Sequence, residues 1–292
     1  MSVFDFFRKK ARVDLDAVVA SLVKNEIIVE TEETAEKVLP YVSKIGGKPY
    51  LPANFKWPVY TSKDDNVARP LSFFCQINLK EIRDYDKDDL LPDSGMLYFF
   101  YECESFCWGF DPSDKGAAKV YYFENIEEFV PMELPSDLIE SYSMPEIAIR
   151  FSAGKSYPGF EELEYHSDMD CQWEDYDDVL EKLGVSVVED EGKHKLLGYA
   201  DIIQDEMLSE CERVSRGLYS GDPESYREIP DEQKADIQEK AKDWILLLQL
   251  GTITKGSFEW MFGDCGMLYF YIRRQDLLQK RFDDVWFSLQ CG

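Results

Sequence analysis

Two glutamines hold matching places near the ends of apolar runs that lie far apart in the chain. Gln76 is in the run PLSFFCQI, and Gln249 is in the run DWILLLQL. A glutamine side chain carries two N–H donors and a carbonyl acceptor, so a buried one needs hydrogen-bond partners. The favoured interpretation is structural, with each glutamine tying its strand to a neighbouring loop. The functional alternative is a pair of polar groups facing a shared cleft, with Gln204 as a similar residue.

Aromatic residues and carboxylates could complete such a cleft. An apolar pocket with a few convergent polar groups is the usual form of a small-molecule site. Aromatic residues at strand spacing belong more often to the core, and this is the favoured interpretation of the tryptophans here, Trp244 included. The candidate cleft would lie between two internal repeats, each of which contains one of the two apolar runs. It consists of Trp57, Gln76, Gln204, Gln249, Glu259, Trp260 and Asp264.

An acidic stretch offers a second kind of site. Residues 161–191 contain thirteen acidic residues and a single basic one, Lys182. The ordinary interpretation is a solvated face, but aromatic residues interleave the acids, as they would in a surface that docks a basic protein. Electrostatic complementarity speeds such encounters and selects partners. The candidate docking face consists of Tyr165, Trp173, Asp175, Tyr176, Asp177 and Asp178.

An alternating run of carboxylates resembles only the start of a calcium loop. Asp84, Asp86 and Asp88 could converge on one hard cation. The sixth position of an EF-hand loop is glycine and the twelfth is glutamate, whereas this chain has Asp89 and Gly95 there. A solvated acidic loop is therefore the favoured interpretation.

The cysteines predict neither a zinc site nor a nucleophile. Cys103 and Cys107 are four residues apart, but no second tight pair completes a set of four ligands. Cys265 follows Asp264 in the sequence GDCGMLYFYI. The related sequence PDSGMLYFFY has Ser94 at the same position. A residue that fills a turn explains this position better than a catalytic thiol. We expect no metal, no cofactor and no catalytic residue.

The elements that would position these residues are predicted to be duplicated. PLSFFCQI is followed by PDSGMLYFFY, and DWILLLQL is followed by GDCGMLYFYI. Each copy has an apolar strand with a glutamine, a connection and the sequence Asp-x-Gly-Met-Leu-Tyr-Phe. The Asp-x-Gly sequence favours a chain reversal into the next strand. We therefore predict two related β units.

Helices are predicted around these units. Helical spacing of apolar residues covers 14–26, followed by a short strand at 27–29 and a helical turn near Thr31. Further strands are expected at 119–124, 147–152, 258–262 and 285–290, and further helices at 175–183, 202–213 and 231–242. This pattern predicts an α+β fold with mostly antiparallel β structure.

The predicted domain plan has two parts. Residues 1–40 form an N-terminal helical and strand segment packed on the core, and residues 41–292 form a single domain. Within that domain, the two β units span about 46–152 and 194–292, with the acidic helical insert at about 160–192.

Composition limits the class of partner. The chain has 292 residues and a formal net charge of −26, which argues against direct binding to a nucleic-acid backbone. No apolar run approaches the length needed to cross a bilayer, and no secretory signal is visible. Seven cysteines without framework spacing indicate reduced thiols. We expect a cytoplasmic protein that does not bind membranes.

Three ordered segments resemble one family. The segments are GGKPYLP…WP…PLSFFCQI…LPDSGMLYFF, then HKLLGYADIIQDEMLSECE, then WILLLQL…FEWMFGDCGMLYFYI. Together they resemble the YwqG-like family of bacterial proteins, a domain-of-unknown-function family. The resemblance implies a single, mostly-β roll with a duplicated core and peripheral helices. It carries no catalytic residues, because none is established in the family. Some members are thought to lie near toxin systems as immunity or accessory proteins.

Together these observations favour a non-catalytic binding or interaction module. Its partner would be a basic protein that docks on the acidic face, as in a toxin-immunity or accessory role. The alternative is an enzyme or small-molecule binder that uses carboxylates and amides in a cleft between the two repeats. The sequence does not identify such a ligand.

Overall fold

A computed structural model of the chain describes residues 15–32, 39–167, 171–185 and 193–292. Its strands are β1 Lys24–Glu32, β2 Lys44–Ile45, β3 Tyr50–Leu51, β4 Val59–Thr61, β5 Ala68–Pro70, β6 Ser72–Asn78, β7 Met96–Tyr101, β8 Ala118–Phe123, β9 Val130–Pro131, β10 Ile147–Ser156, β11 His194–Leu197, β12 Trp244–Leu250, β13 Ile253–Lys255, β14 Phe258–Trp260, β15 Met267–Arg273 and β16 Trp286–Gln290. Its α-helices are α1 Leu15–Ser21, α2 Leu79–Ile82, α3 Leu163–His166, α4 Trp173–Lys182, α5 Leu208–Ser215, α6 Pro223–Arg227, α7 Asp231–Ala241 and α8 Arg274–Leu278. Short 3₁₀ turns cover Pro112–Asp114, Glu140–Tyr142 and Phe160–Glu162.

Ten strands form one sheet in the order β16-β15-β12-β11-β1-β10-β2-β6-β7-β8. Its strand pairings are antiparallel. The long β1 and β10 lie side by side at the centre. Four strands flank this pair on each side, and the two sets follow the same chain order from the centre outward. The predicted α+β fold with mostly antiparallel β structure is confirmed.

The sheet is duplicated, and the repeats exchange their first strands. The first β unit runs β1, β2, β6, β7, β8, and the second runs β10, β11, β12, β15, β16. However, β1 pairs with β11 of the second unit, and β10 pairs with β2 of the first. The register is equivalent, because Ile27 pairs with Leu196 and Ile147 pairs with Ile45. The centre of the sheet therefore joins the units.

Each unit also has a β-bulge at the same place. The pairing of β6 with β7 shifts register between Phe73 and Cys75, and that of β12 with β15 shifts between Leu246 and Leu248. In both units the extra residue lies two positions before the glutamine of the repeat, which is Gln76 in the first unit and Gln249 in the second. A bulge adds a local bend and strengthens the twist of a strand. Its duplication shows that the units share backbone detail as well as sequence.

Burial explains why these runs form strands. All six side chains of β7 are buried, and so are all seven of β12. These runs are rich in aromatic and branched apolar residues, which fit a sheet buried on both faces. The largest core cluster extends through both units. A second cluster packs α5 and the end of α7 against β12, β15 and β16, and a third joins α1, α3 and α4.

Several predicted helices are shorter in the structure. The predicted helix at 14–26 is α1, which ends at Ser21, because β1 begins at Lys24 and pairs on both sides. The prediction of a helical turn near Thr31 is wrong for Thr31 and Glu32, because both residues belong to β1. The residues that follow, 33–38, lie outside the described part of the chain. In the described part of the chain, no helix has the length and apolar character needed to cross a membrane.

Candidate functional site

Each unit contains a buried lysine opposite its repeat glutamine. Lys44 of β2 is in register with Gln76 of β6, and Lys195 of β11 is in register with Gln249 of β12. The lysines are each 1% exposed and the glutamines 0%. Lysine is rarely buried this fully unless it is paired. The partners of these four side chains therefore decide what each unit can do.

The two glutamines make equivalent hydrogen bonds. Gln76 Oε1 accepts from the N–H of Tyr50 at 3.1 Å, and Gln76 Nε2 donates to the carbonyl of Val42 at 2.8 Å. Gln249 Oε1 accepts from the N–H of Asp201 at 2.9 Å, and Gln249 Nε2 donates to the carbonyl of Lys193 at 3.4 Å. In both units these groups lie six residues after and two residues before the buried lysine.

The tyrosines of the two Gly-Met-Leu-Tyr sequences complete this arrangement. The Tyr98 hydroxyl donates to the carbonyl of Tyr50, and the Tyr269 hydroxyl donates to the carbonyl of Asp201. Both tyrosines are fully buried, and burial raises the pKa of each hydroxyl well above its usual value. Both hydroxyls therefore keep their protons and act as donors.

The carboxylates that balance the buried lysines come from the exchanged strands. Glu146, just before β10, lies 2.6 Å from Lys44 Nζ, and Glu26 of β1 lies 3.2 Å from Lys195 Nζ. The turn after each lysine needs left-handed backbone, with φ of 60° and 67° at Gly46 and Gly47. The same turn in the second unit has φ of 60° at Leu197 and 75° at Gly198.

The units differ six residues after the lysine, where the first has Tyr50 and the second has Asp201. The Tyr50 ring packs on Tyr41, with ring centroids 5.3 Å apart. The Asp201 carboxylate instead lies 2.8 Å from Lys195 Nζ and accepts from Gln249 Nε2 at 2.7 Å. Lys193 Nζ approaches the same carboxylate at 3.2 Å. The second unit thus carries a charged cluster where the first has an aromatic contact.

These charges influence each other's protonation. Burial favours a protonated Asp201, but the ammonium groups of Lys195 and Lys193 outweigh it and lower the pKa of the Asp201 carboxyl. Burial likewise disfavours the charge of Lys193, but the carboxylates of Asp201 and Glu26 outweigh it and raise the pKa of Lys193. Asp201 and Lys193 are therefore both ionised at neutral pH.

A cleft of about 540 Å³ opens beside this charged cluster. One wall is the end of β10 with the segment that follows it, from Lys155 to Glu161, and another is residues 200–203 with Lys193. Cys265 and Met267 line it from the second unit. The remaining wall is α4. This volume is within the range of known small-ligand sites.

Helix α4 presents one face to the cleft. Trp173, Tyr176, Asp177 and Leu180 line it, and their spacing of three and four residues places them on one side of the helix. Tyr176 is anchored, because its hydroxyl donates to the carbonyl of Pro158 at 2.7 Å. Trp173 is 53% exposed. The helix therefore contributes a fixed tyrosine and an accessible tryptophan.

The predicted docking face is divided between two sides of α4. Trp173, Tyr176 and Asp177 line the cleft, whereas Asp175 and Asp178 are exposed and are not part of its wall. Tyr165 lies on α3, is buried, and donates from its hydroxyl to Glu206 Oε1 at 3.0 Å. Part of the acidic stretch, 168–170 and 186–191, lies outside the described residues.

The seven residues of the candidate cleft between repeats do not come together. Gln76 and Gln249 bind backbone of their own unit, as the structural interpretation describes. Trp57 donates to the carbonyl of Leu71 at 2.8 Å and packs in the core of the first unit. Trp260 packs on Phe74.

The other three predicted residues are exposed. Glu259 lies on β14, and Gln204 Nε2 donates to the carbonyl of Cys291 at 2.9 Å. Gln204 is not helical, because its N–H donates to Gln290 Oε1 and the predicted helix at 202–213 begins only at Leu208. Asp264 is next to Cys265 but does not itself line the cleft.

Sequence reasoning missed the buried Glu–Lys pairs. The signals were present: Glu26-Ile27 recurs as Glu146-Ile147, and the sequence Lys-x-x-Gly beginning at Lys44 recurs at Lys195. Each signal is only two residues long. Extending the repeat toward its N-terminal end would have found them.

Comparison with known families gives one assignment. A family model described as "Domain of unknown function (DUF1963)" matches residues 43–291. The chain therefore belongs to the DUF1963 family, and the expected membership in a domain-of-unknown-function family is confirmed. The comparison with curated proteins gives no match. The family match begins just before β2, so it leaves out β1, the strand that supplies Glu26.

Proposed function

We propose that this protein is a non-catalytic binding module that receives a basic segment of another protein in the cleft beside α4. The observation that carries the proposal is the shared face of Trp173, Tyr176 and Asp177, which lines the same cavity as Asp201 and Glu26. The cleft thus combines the aromatic and acidic residues of the insert with the charged cluster of the second unit.

The electrostatics of the cleft favour a cationic occupant. Its lining includes four carboxylates and two lysines, which are Glu26, Glu161, Asp177, Asp201, Lys155 and Lys193. The net charge of −26 adds a long-range attraction for basic partners. Glu26 and Asp201 are already paired with lysines, so Asp177 and Glu161 are the carboxylates that a partner would meet.

Trp173 supplies the apolar part of the interaction. A lysine or arginine above a tryptophan ring is attracted by the ring quadrupole, and tryptophan is enriched among the residues that dominate interface energetics. An exposed tryptophan at the mouth of an acidic cleft fits both roles. Burial of Trp173 by a partner would also change its fluorescence, which gives a direct signal.

The decisive experiment compares two charge reversals on the same helix. Wild type, Asp177→Lys and Asp178→Lys are used to capture proteins from native lysate at low and high salt. We expect basic partners that are released by salt, lost with Asp177→Lys and retained with Asp178→Lys. For an identified partner, Asp177→Lys should weaken binding by at least about tenfold, equivalent to about 1.4 kcal/mol. Trp173→Ala should weaken it as well.

Three outcomes would contradict the proposal. Equal loss with both variants would assign binding to general surface charge instead of the cleft. Retention of the partner by Asp177→Lys would assign it to another surface. A wild-type protein that captures no basic partner at low salt would favour the second candidate, a small-molecule site, for which the cleft volume is also adequate.

Narrower assignments belong to the same proposal. The repeated Gly-Met-Leu-Tyr sequences support a place among the YwqG-like bacterial proteins, and seven cysteines without framework spacing agree with a cytoplasmic location. A toxin-immunity or accessory role would use the acidic cleft against a basic toxin. Identification of the captured partner tests that role.

A further inference from the structure

A second cavity, of about 310 Å³, has basic residues on its wall. It lies beside the turn that follows β11, and its apolar lining includes Leu197, Ile245 and Leu246. Lys24 and Arg274 line the same cavity. With Asp88 as the one acidic residue that the described part of the chain contributes to the lining, the wall carries a net positive charge in a chain whose net charge is −26.

The charge of Lys24 is poorly compensated. Among the described residues, neither Lys24 nor Arg274 has an ion-pair partner within 4.0 Å, and Lys24 Nζ lies 3.8 Å from the centroid of the Tyr199 ring. Burial, together with a smaller contribution from the Arg274 charge, lowers the pKa of Lys24 to about 8, although Glu162 and Asp88 act in the opposite direction. A bound anion would relieve both the burial cost and the repulsion.

The cavity also includes a strained residue. Leu197 has φ of 60°, whereas the equivalent residue of the first unit is Gly46 with the same φ. A residue with a side chain is strained in left-handed backbone, because its Cβ lies too close to the following carbonyl oxygen. The Leu197 side chain is 1% exposed and lines the cavity. The second unit thus keeps an apolar side chain at a position where glycine would avoid the strain.

We propose that this cavity binds the carboxylate of a small molecule that has an apolar body. The carboxylate would lie between the Lys24 ammonium and the Arg274 guanidinium, and the apolar body would pack on Val23 and Leu90, the more accessible apolar residues of the lining, next to the buried Leu197. Asp88 also lines the cavity. Its negative charge favours a monoanion over a dianion such as phosphate.

N-acetyl-leucine, its neutral amide and inorganic phosphate test this proposal by calorimetric titration at pH 7. We expect N-acetyl-leucine to bind, the amide not to bind, and phosphate to bind at least about tenfold more weakly. Lys24→Met and Arg274→Gln should each weaken the binding of N-acetyl-leucine by about tenfold or more, since each removes a charged hydrogen-bond donor to the carboxylate. Lys242→Met and Arg227→Gln remove exposed charges elsewhere and should leave binding unchanged.

Four other titration results would overturn all or part of the proposal. No heat with N-acetyl-leucine at millimolar concentrations overturns the proposal, and so does equal binding of its amide. Binding that survives both Lys24→Met and Arg274→Gln places the ligand elsewhere and also overturns it. Phosphate binding as tight as that of N-acetyl-leucine, and equally sensitive to the two variants, supports the pair of cations but overturns the preference for a carboxylate.

Discussion

The two β units contain the same buried network and use it differently. In both, a lysine, a glutamine, a tyrosine and a glutamate from the exchanged strand occupy equivalent positions. In the first unit, the turn carries Tyr50, whose ring packs on Tyr41. In the second, the turn carries Asp201, which joins Lys195 and Lys193 beside an open cleft. The network therefore belongs to the fold, and the residue on the turn distinguishes the units.

This difference separates structural polar groups from those available to a ligand. Gln76 and Gln249 each hydrogen-bond to two backbone groups of their own unit, and Gln249 also donates to the Asp201 carboxylate. In the second unit, Asp201 and Glu26 of this network line the cleft beside α4. Duplication thus supplies an internal control, because a substitution in one unit can be matched by its equivalent in the other.

Removing the buried lysines should give the largest difference between the units. Lys195→Met leaves Glu26, whose side chain is 5% exposed, short of its nearest cation and should lower the free energy of unfolding by about 3–5 kcal/mol. Lys44→Met leaves Glu146, whose side chain is 38% exposed and can be hydrated, so we expect a loss of about 1–2 kcal/mol. Denaturant titration measures both.

A control for this pair is Lys242→Met. It removes an exposed ion pair with Glu239 at 3.2 Å and should change the free energy of unfolding by less than about 1 kcal/mol. Equal losses for Lys195→Met and Lys44→Met would show that exposure of the carboxylate does not separate the two units.

Replacing the glutamines should affect both units strongly. Gln76→Leu and Gln249→Leu each leave a partly buried N–H and a partly buried carbonyl without the glutamine partner, which should cost about 2 kcal/mol. Gln249→Leu should cost about 1 kcal/mol more, because it also removes the donor to the Asp201 carboxylate. The midpoint of urea unfolding measures both variants, with Gln204→Leu, an exposed side chain, as the control. If Gln76→Leu left the free energy of unfolding nearly unchanged, the structural role of Gln76 would be contradicted.

The smallest effect should be a dependence on pH that is confined to the second unit. The pKa of Asp201 is lowered in the folded protein, so its carboxylate stabilises the fold above the unfolded pKa, about 4. This contribution is lost as pH falls through the folded value. Asp201→Asn should cost about 1 kcal/mol near pH 7, a modest figure because the carboxylate is 39% exposed, and this cost should disappear once the pH is below the folded pKa.

Tyr50→Phe is the matched variant for this prediction. Its effect on the free energy of unfolding should be the same at pH 3 and pH 7, because the first unit has no carboxylate at that position. A deficit of Asp201→Asn that persists unchanged at low pH would mean that the charge of Asp201 contributes nothing.

The strands that repeat most strongly could be predicted from the sequence. Gly-Met-Leu-Tyr recurs intact because both copies are buried on both faces, where few residue types fit. The first strands of the repeats keep only Glu-Ile in common, since each pairs with different neighbours. Their exchange is a long-range pairing that no local pattern specifies. The predicted domain division at residue 40 separates β1 from the other strands of the ten-stranded sheet.

The candidate site was predictable only in part. The acidic stretch and its aromatic residues directed attention to α4, and its helical period places Trp173, Tyr176 and Asp177 together. The other walls come from residues far away in the sequence, including Lys193 and Cys265. A cavity formed by the close approach of distant segments has no signature in the spacing of residues, so its existence required the structure.

The exchange of first strands has a consequence for how the protein is made. During synthesis β1 precedes both of its neighbours by a long stretch, because β10 begins at residue 147 and β11 at residue 194 of the 292-residue sequence. Both edges of β1 stay unpaired during that time, and an unpaired edge is a template for aggregation. Charged residues such as Glu26 and Glu30 discourage premature pairing of this strand. Glu26, which pairs with Lys195 in the folded protein, thus also disfavours aggregation of the chain before it folds.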